Sequence, residues 1–288
     1  ADSIPQGQGH MTVLSQVVAD VLGLTPDHIK VNLDFDTAKD AWSIATGNYS
    51  SRFSSATAVA CQMAAKKVKA KLARIASPGL NVPPDQLEFA DGLIFDQNNP
   101  DNSMKFYRAA GAAHWTPGNL PEGMEPCVRE PGSWSPPELE SPNDKDQINT
   151  SLTYAFVFDF CGIEIDRETA EVRIDKYVTM HDSGTLLNPL IAEGQVHGAF
   201  AWAVGCALYE EFVYGEDGSF LTGTFADYLV PTAVEVPEPQ IIHMESPSLV
   251  TPLGAKGIGE GNCMSTPVCI ANAVADATGV ADLTLPLI

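Results

Sequence analysis

Near the end of the sequence one carboxylate is ringed by small residues, in Gly254-Ala255-Lys256-Gly257-Ile258-Gly259-Glu260-Gly261-Asn262. Glycine has no Cβ and tolerates positive φ, so the backbone can pass close to another group. A carboxylate fixed on such a loop becomes a general base if burial raises its pKa toward neutrality. Lys256 would pull that pKa the other way. An apolar, helix-like run follows at once. The same residues also serve as a plain glycine turn with a solvated glutamate, and the loop alone does not separate the two readings.

Three further segments carry residue types suited to a polar or anionic ligand. Gln6-Gly7-Gln8-Gly9-His10-Met11-Thr12 opens a helix, where free backbone amides and a carboxamide side chain meet. Thr46-Gly47-Asn48-Tyr49-Ser50-Ser51-Arg52 precedes a second helix and combines hydroxyls, amides and one guanidinium. Ordinary N-capping explains that composition equally well. Asp182-Ser183-Gly184-Thr185-Leu186-Leu187-Asn188-Pro189 leads into Glu193-Gly194-Gln195-Val196-His197-Gly198. There Asp182 and Asn188 suit a turn and a cap, and Gln195 can reach a ligand packed on its helix. Two familiar glycine motifs fail. A phosphate loop places its lysine differently from Lys256, and a dinucleotide fingerprint from Gly257 would need glycine where Asn262 stands. Asp34-Phe35-Asp36 sets two carboxylates on one side of a strand, too few for a hard metal ion.

These segments need elements to position them. Met11, Leu14, Val17, Val18, Val21 and Leu22 predict a helix over 11–22, stopped by Gly23. Residues 29–33 alternate like a half-buried strand. An alanine-rich helix is expected from 54 to about 76. Its basic end (Lys66, Lys67, Lys69, Lys71, Arg74) reads as a solvated face complementing the macrodipole. Residues 77–150, rich in Pro, Asn and Gly, predict an irregular connector with one short strand pair near 87–95. Strands are expected at 152–160, 163–166 and 171–180, with a turn at Asp166. A helix follows over 189–211, whose Gly194 and Gly198 would admit another backbone. A strand is expected at 239–246. The last helix is signalled by Ser265, Thr266 and Pro267 and stopped by Gly279. Without a regular βαβ alternation the class is α+β, in two two-layer subdomains at 1–150 and 151–288.

Composition narrows the function classes. A formal charge of −21 excludes the basic footprint that nucleic acid or an anionic membrane surface requires. The six cysteines, Cys61, Cys127, Cys161, Cys206, Cys263 and Cys269, form no CxxC pair and sit mostly in apolar runs. That pattern fits a reducing, cytoplasmic setting and no iron–sulfur or zinc site in this chain. A ligand motif so near Ala1, with no initiating methionine, predicts a fragment or a processed chain.

Taken in order, five blocks of this sequence resemble the xanthine oxidase family of molybdenum hydroxylases. They are Gly7-Gln8-Gly9, the Thr46 to Arg52 segment, Asp182 to Gln195, Phe225-Ala226-Asp227-Tyr228-Leu229-Val230-Pro231-Thr232, and Gly254 to Gly261. The resemblance is to the carboxy-terminal half of the large subunit, in the pattern of bacterial carbon-monoxide dehydrogenase-like chains. It implies a mixed-sheet molybdopterin-binding fold and a molybdopterin cofactor, in cytosine dinucleotide form, carrying molybdenum. It implies that Gly7, Gln8, Gly9, Thr46, Gly47, Ser50, Ser51, Arg52, Gln195, Lys256, Gly257 and Gly259 line that cofactor, with Glu260 as general base. The implied reaction is hydroxylation of an electron-poor carbon with oxygen from water. The implied partners are the amino-terminal part of the large subunit, iron–sulfur and FAD-bearing subunits, and a small-molecule substrate. A non-catalytic, cofactor-holding or assembly module of the same fold is the competing reading.

Overall fold

The computed structural model describes the chain except for Asp2, Phe35, Thr37, residues 39–46, Thr150 and Ile288. Thr46 and the centre of Asp34-Phe35-Asp36 therefore lie outside the described residues. The chain divides into two compact units, residues 1–152 with 249–253, and residues 153–248 with 254–288. Helices combine with one antiparallel and one mixed three-stranded sheet, so the class is α+β. Among the described residues no helix is long and apolar enough to cross a membrane.

In the first unit, α1 (His10–Leu22) buries Val13, Leu14, Val17 and Leu22, the apolar spacing that predicts it. The strand expected over 29–33 does not form, because alternation without a neighbouring edge gives no ladder. A single π-helical turn (Phe53–Thr57) leads into α2 (Ala58–Leu80). α2 outruns its expected end at 76, carrying Pro78 in its last turn and closing on left-handed Asn81 (φ 57°). The expected connector is more ordered than its composition indicates. β1 (Leu87–Ala90), β2 (Leu93–Asp96) and β3 (Asn99–Lys105) form an antiparallel meander, followed by α3 (Phe106–Trp115). α3 escapes notice because Gly111 and four alanines blunt its periodicity. Leu72, Ala76 and Leu80 of α2 close over Leu87, Phe89 and Ile94 of the sheet and Ala109 of α3 as one core.

The basic run of α2 is not merely solvated. Lys71 pairs with Glu130 at 3.1 Å, and Lys67 donates to the Pro131 carbonyl at 2.9 Å. These lysines hold the Pro-rich segment against the helix.

In the second unit, β4 (Phe156–Ile165) and β5 (Val172–Asp182) are antiparallel, and β6 (Gln240–Met244) runs parallel to β5. The two strands expected at 152–160 and 163–166 are one, interrupted by a bulge between Gly162 and Ile163. The turn after it is closed by Asp166, whose Oδ1 accepts from the Glu168 and Thr169 amides. α4 (Pro189–Leu208) starts where Asn188 Oδ1 accepts from the Ile191 amide at 3.0 Å. Gly194 and Gly198, expected to admit a close backbone, face open space. α5 (Gly261–Thr278) starts before the expected cap, and Ser265, Thr266 and Pro267 lie inside it. Tyr177 and Ile174 of β5, Phe200 and Val204 of α4, and Ile270 of α5 make the second core.

His10, at the start of α1, shows how tightly the first unit closes. It is 4% exposed and stacks on Phe53 with ring centres 3.5 Å apart. Ser3 spends its one hydroxyl proton on Asn48 Oδ1 at 3.1 Å, so its oxygen accepts from His10 Nδ1 at 2.9 Å. Burial pushes the imidazole down from 6.5 to about 4. The folded chain therefore holds His10 neutral where the unfolded chain protonates it. The associated stability is complete above about 6.5 and is lost as pH falls toward about 4. Melting temperatures at pH 7.5 and pH 5 check this. Wild type should lose more on acidification than His10→Gln, and equal losses would mean that His10 charges freely in the folded state.

Candidate functional site

The base loop lies in the second unit and is tied to the ends of β5 and β6. Gly184 and Ala255 form an isolated bridge, reinforced by Thr185 N to Gly254 O at 3.1 Å and Lys256 N to Ser183 O at 2.8 Å. Both glycines are left-handed, with φ of 63° at Gly184 and 67° at Gly254. A Cβ on Gly184 would meet the Gly254 carbonyl oxygen at 2.2 Å, so no other residue fits.

Asp182 is the hub of this clasp. Its Oδ1 accepts from the Gly184 and Ser246 amides at 3.1 and 3.0 Å, and its Oδ2 from Lys256 Nζ at 3.2 Å. Burial alone would raise this carboxyl, but the two amides and the Lys256 ammonium outweigh it and hold it below the ordinary carboxylate value. Lys256 is thus committed to Asp182.

Glu260 is the N-cap residue of α5, with no side-chain capping bond. Its side chain is exposed in this chain. Its backbone, in contrast, is closely held. Positive φ is confined to Gly254 among the four loop glycines, and the others answer to space. A Cβ on Gly261 would lie 2.6 Å from Val157 Cγ2 and 3.2 Å from His181 Cε1. One on Gly259 would lie 3.3 Å from Gln195 Oε1, which places the half-buried Gln195 amide beside the loop. Gly257 is half-buried. Gln195, Gly259 and Glu260 are therefore gathered at one place.

Beneath the loop is a buried polar network that sequence reasoning missed. Asn262 is fully buried; its Oδ1 faces His181 Nε2 at 2.8 Å, and its Nδ2 faces Thr179 at 3.0 Å, Thr266 at 3.3 Å and Asp159 at 3.3 Å. Tyr177 donates to Asp159 at 2.7 Å. Since the Asn262 amide nitrogen points at Asp159, its oxygen accepts from His181, fixing the proton on Nε2. Burial lowers the His181 pKa and so keeps the ring neutral. Burial, then the bond to Asp159, raises the Tyr177 phenol. The available signal was period two: Tyr177, Thr179 and His181 share one face of β5.

In the first unit the two glycine segments come together. Ser3 bridges His10 and Asn48, and Asn48 Nδ2 donates to the Ile4 carbonyl. Gly7 (φ 104°) has open space where a Cβ would stand, and Gly9 (φ 73°) begins α1 with no side-chain cap and no acidic residue in the first turn. Gln8 turns back, its Oε1 accepting from the Gln6 amide. In the second segment, a Cβ on Gly47 would strike the Tyr49 ring. Ser50 and Ser51 are both left-handed, at φ 54° and 56°, a strained pair for non-glycine residues. Arg52 lies with its guanidinium 5.3 Å from the Tyr49 ring centre, and its Nε is buried with no hydrogen-bond partner. An uncapped helix start, a strained hydroxyl pair and an orphaned guanidine N–H fit a polar, anionic group such as a pterin dinucleotide.

Comparison with known proteins identifies the family. Residues 2–237 match the molybdopterin cofactor-binding domain family. The chain is 33% identical to the carbon monoxide dehydrogenase large chain of Afipia carboxidovorans, over 94% of this chain and 31% of that one. It is 31% identical to the nicotine 6-hydroxylase large subunit of Paenarthrobacter nicotinovorans, over 94% of this chain and 31% of that one. Among solved structures, quinoline 2-oxidoreductase from Pseudomonas putida 86 superposes with a TM-score of 0.82 at 30% identity, covering 99% of this chain and 34% of that one. The chain thus spans about a third of the length of the curated relatives it matches. With its α+β fold and its ordered glycine segments, the chain belongs to the molybdopterin cofactor-binding domain family and is a homologue of the large chains of xanthine oxidase-family molybdenum hydroxylases.

Proposed function

We propose that this chain is the carboxy-terminal molybdopterin-binding part of a molybdenum hydroxylase catalytic subunit, with Glu260 as its general base. The observation that carries the reading is the state of Glu260: a free carboxylate on a backbone locked by Asp182 from one side and by Asn262 from the other. A scaffold needs no such carboxylate there. Bound molybdopterin with its molybdenum would supply the redox chemistry, hydroxylation of an electron-poor carbon with oxygen from water.

The chain's own residues bind and position. Glu260 takes, at its carboxylate oxygens, the proton shed by the water that provides the oxygen. Gln195, beside Gly259, would offer its amide to the pterin, with Gly257 on the same loop, and the Lys256–Asp182 pair keeps that loop in place. Gly7, Gln8, Gly9, Gly47, Ser50, Ser51 and Arg52, with Thr46, suit the pterin or the diphosphate of its cytosine dinucleotide form. The amino-terminal part of the large chain, together with iron–sulfur and flavin subunits, completes the electron path in the cytoplasm, and a small organic molecule or carbon monoxide is the substrate.

Two measurements test this in the assembled enzyme. Glu260→Gln should retain its molybdenum and lose roughly 10²–10⁴-fold or more in the rate of the reductive half-reaction, the usual worth of general-base assistance. A loaded variant turning over at the normal rate would leave only the cofactor-holding reading. Gln8→Ala and Gln195→Ala should lower molybdenum content more than thermal stability, each losing about 0.5–1.5 kcal/mol of hydrogen bonding. Full occupancy in both would remove these side chains from the cofactor.

A further inference from the structure

We infer that the uncovered face and free edge of the second unit's sheet are the docking surface for the amino-terminal part of the large chain. The inference rests on the proposed large-subunit identity and names the surface through which that subunit is completed.

The first half of β4 departs from the usual pattern of a half-solvated strand. Such a strand keeps apolar residues inside and polar ones outside. Here Asp159 turns inward to the Asn262 network, while Phe156, Phe158 and Phe160 turn outward, 63%, 61% and 64% exposed. The pairing register extends this face across all three strands. Phe158 lies opposite Met180 and Met180 beside Ile242; Phe156 ranks with Asp182 and Met244; Phe160 ranks with Val178 and Gln240. Ile242 and Met244 are 41% and 47% exposed. Three such phenylalanines alone leave on the order of 300 Å² of apolar surface in one row, a size at which patches mark contact sites.

The edge carries the same message. β4 is an outer strand of the β4–β5–β6 sheet, and no described strand pairs with its far side. Residues 156–161 contain neither the lysine nor the proline that usually blunts an exposed edge. A cleft of about 570 Å³ opens beside it, lined by Phe158, Phe160, Met264 and Val268.

Two facts select the occupant. The chain spans about a third of the length of its relatives, so two-thirds of a homologous large chain is unaccounted for. A face this apolar resembles a domain core cut in half, as obligate interfaces do. The net charge of −21 and the exposed carboxylates of Glu164 and Asp175 on these strands disfavour an anionic membrane. The fitting partner is a polypeptide with an apolar inner face and a strand to add to β4.

The test places a benzophenone photocrosslinking amino acid at position 158 in the assembled enzyme and maps its adducts by mass spectrometry. Adducts within the amino-terminal part of the large chain, on the same or a separate polypeptide, are expected. Adducts to a flavin or iron–sulfur subunit, adducts to a second copy, or no adduct would overturn the inference. If the substituted chain does not assemble, hydrogen exchange on the unsubstituted enzyme decides. Amides of 156–161 should exchange as slowly as those of β5, and exchange at the rate of exposed loops would overturn it. Molybdenum content of the same sample separates the outcomes: a loaded enzyme with adducts elsewhere sinks only the docking surface, whereas a purified assembly without molybdenum sinks the cofactor reading beneath it.

Discussion

The second unit depends on one side chain that has no freedom, Asn262. An amide buried to this depth must satisfy its oxygen and both N–H groups within the protein. It does so with β4 through Asp159, with β5 through Thr179 and His181, and with its own helix through Thr266. Losing it would strand several buried polar groups at about 1–3 kcal/mol each, more for the Asp159 carboxylate. Because Asn262 stands in the first turn of α5, these bonds set where that helix begins. The carboxylate one residue before the helix inherits its place from them. The Asp182–Lys256 clasp then fixes the incoming side of the loop. Two polar anchors on either side of a side chain that makes no capping bond leave the side chain free while its backbone is not.

The first unit reaches the same end by other means. Its glycine segments are joined through Ser3, a small residue whose single hydroxyl links a helix start to a loop. Around this joint the backbone tolerates two left-handed serines and an orphaned Arg52 Nε. Strain and an unmet donor in one place are costs that packing alone does not explain, whereas a bound anion would meet both.

Much of this was legible in the sequence, for physical reasons. α1 announced itself because its core contacts are its own apolar period, and β5 because period two holds over its second half, from Tyr177 to His181. The ordered glycine segments pointed to the family before any geometry was known. Three things stayed hidden. α3 has a core face made of alanines, which carry too little hydrophobic contrast to show a period. The start of α5 was masked by Ser265-Thr266-Pro267, a good cap signal that the tertiary bonds of Asn262 override. The pairing of Lys256 with Asp182 is hidden because the two are distant in sequence, and the bridge between Gly184 and Ala255 brings them together.

The π-helical turn at Phe53–Thr57 has a consequence for how this sequence can change over time. A π turn holds one residue more than an α-helix would over the same rise. Removing one residue there would let the helix run regularly, but it would swing Ser50, Ser51 and Arg52 by about a quarter-turn around the axis of α2. Ala58, Val59 and Ala65, buried on the far side of that junction, would resist turning with them. Substitutions in this stretch should therefore be tolerated far more readily than deletions or insertions, and its length should drift less in descendants of this gene than its composition.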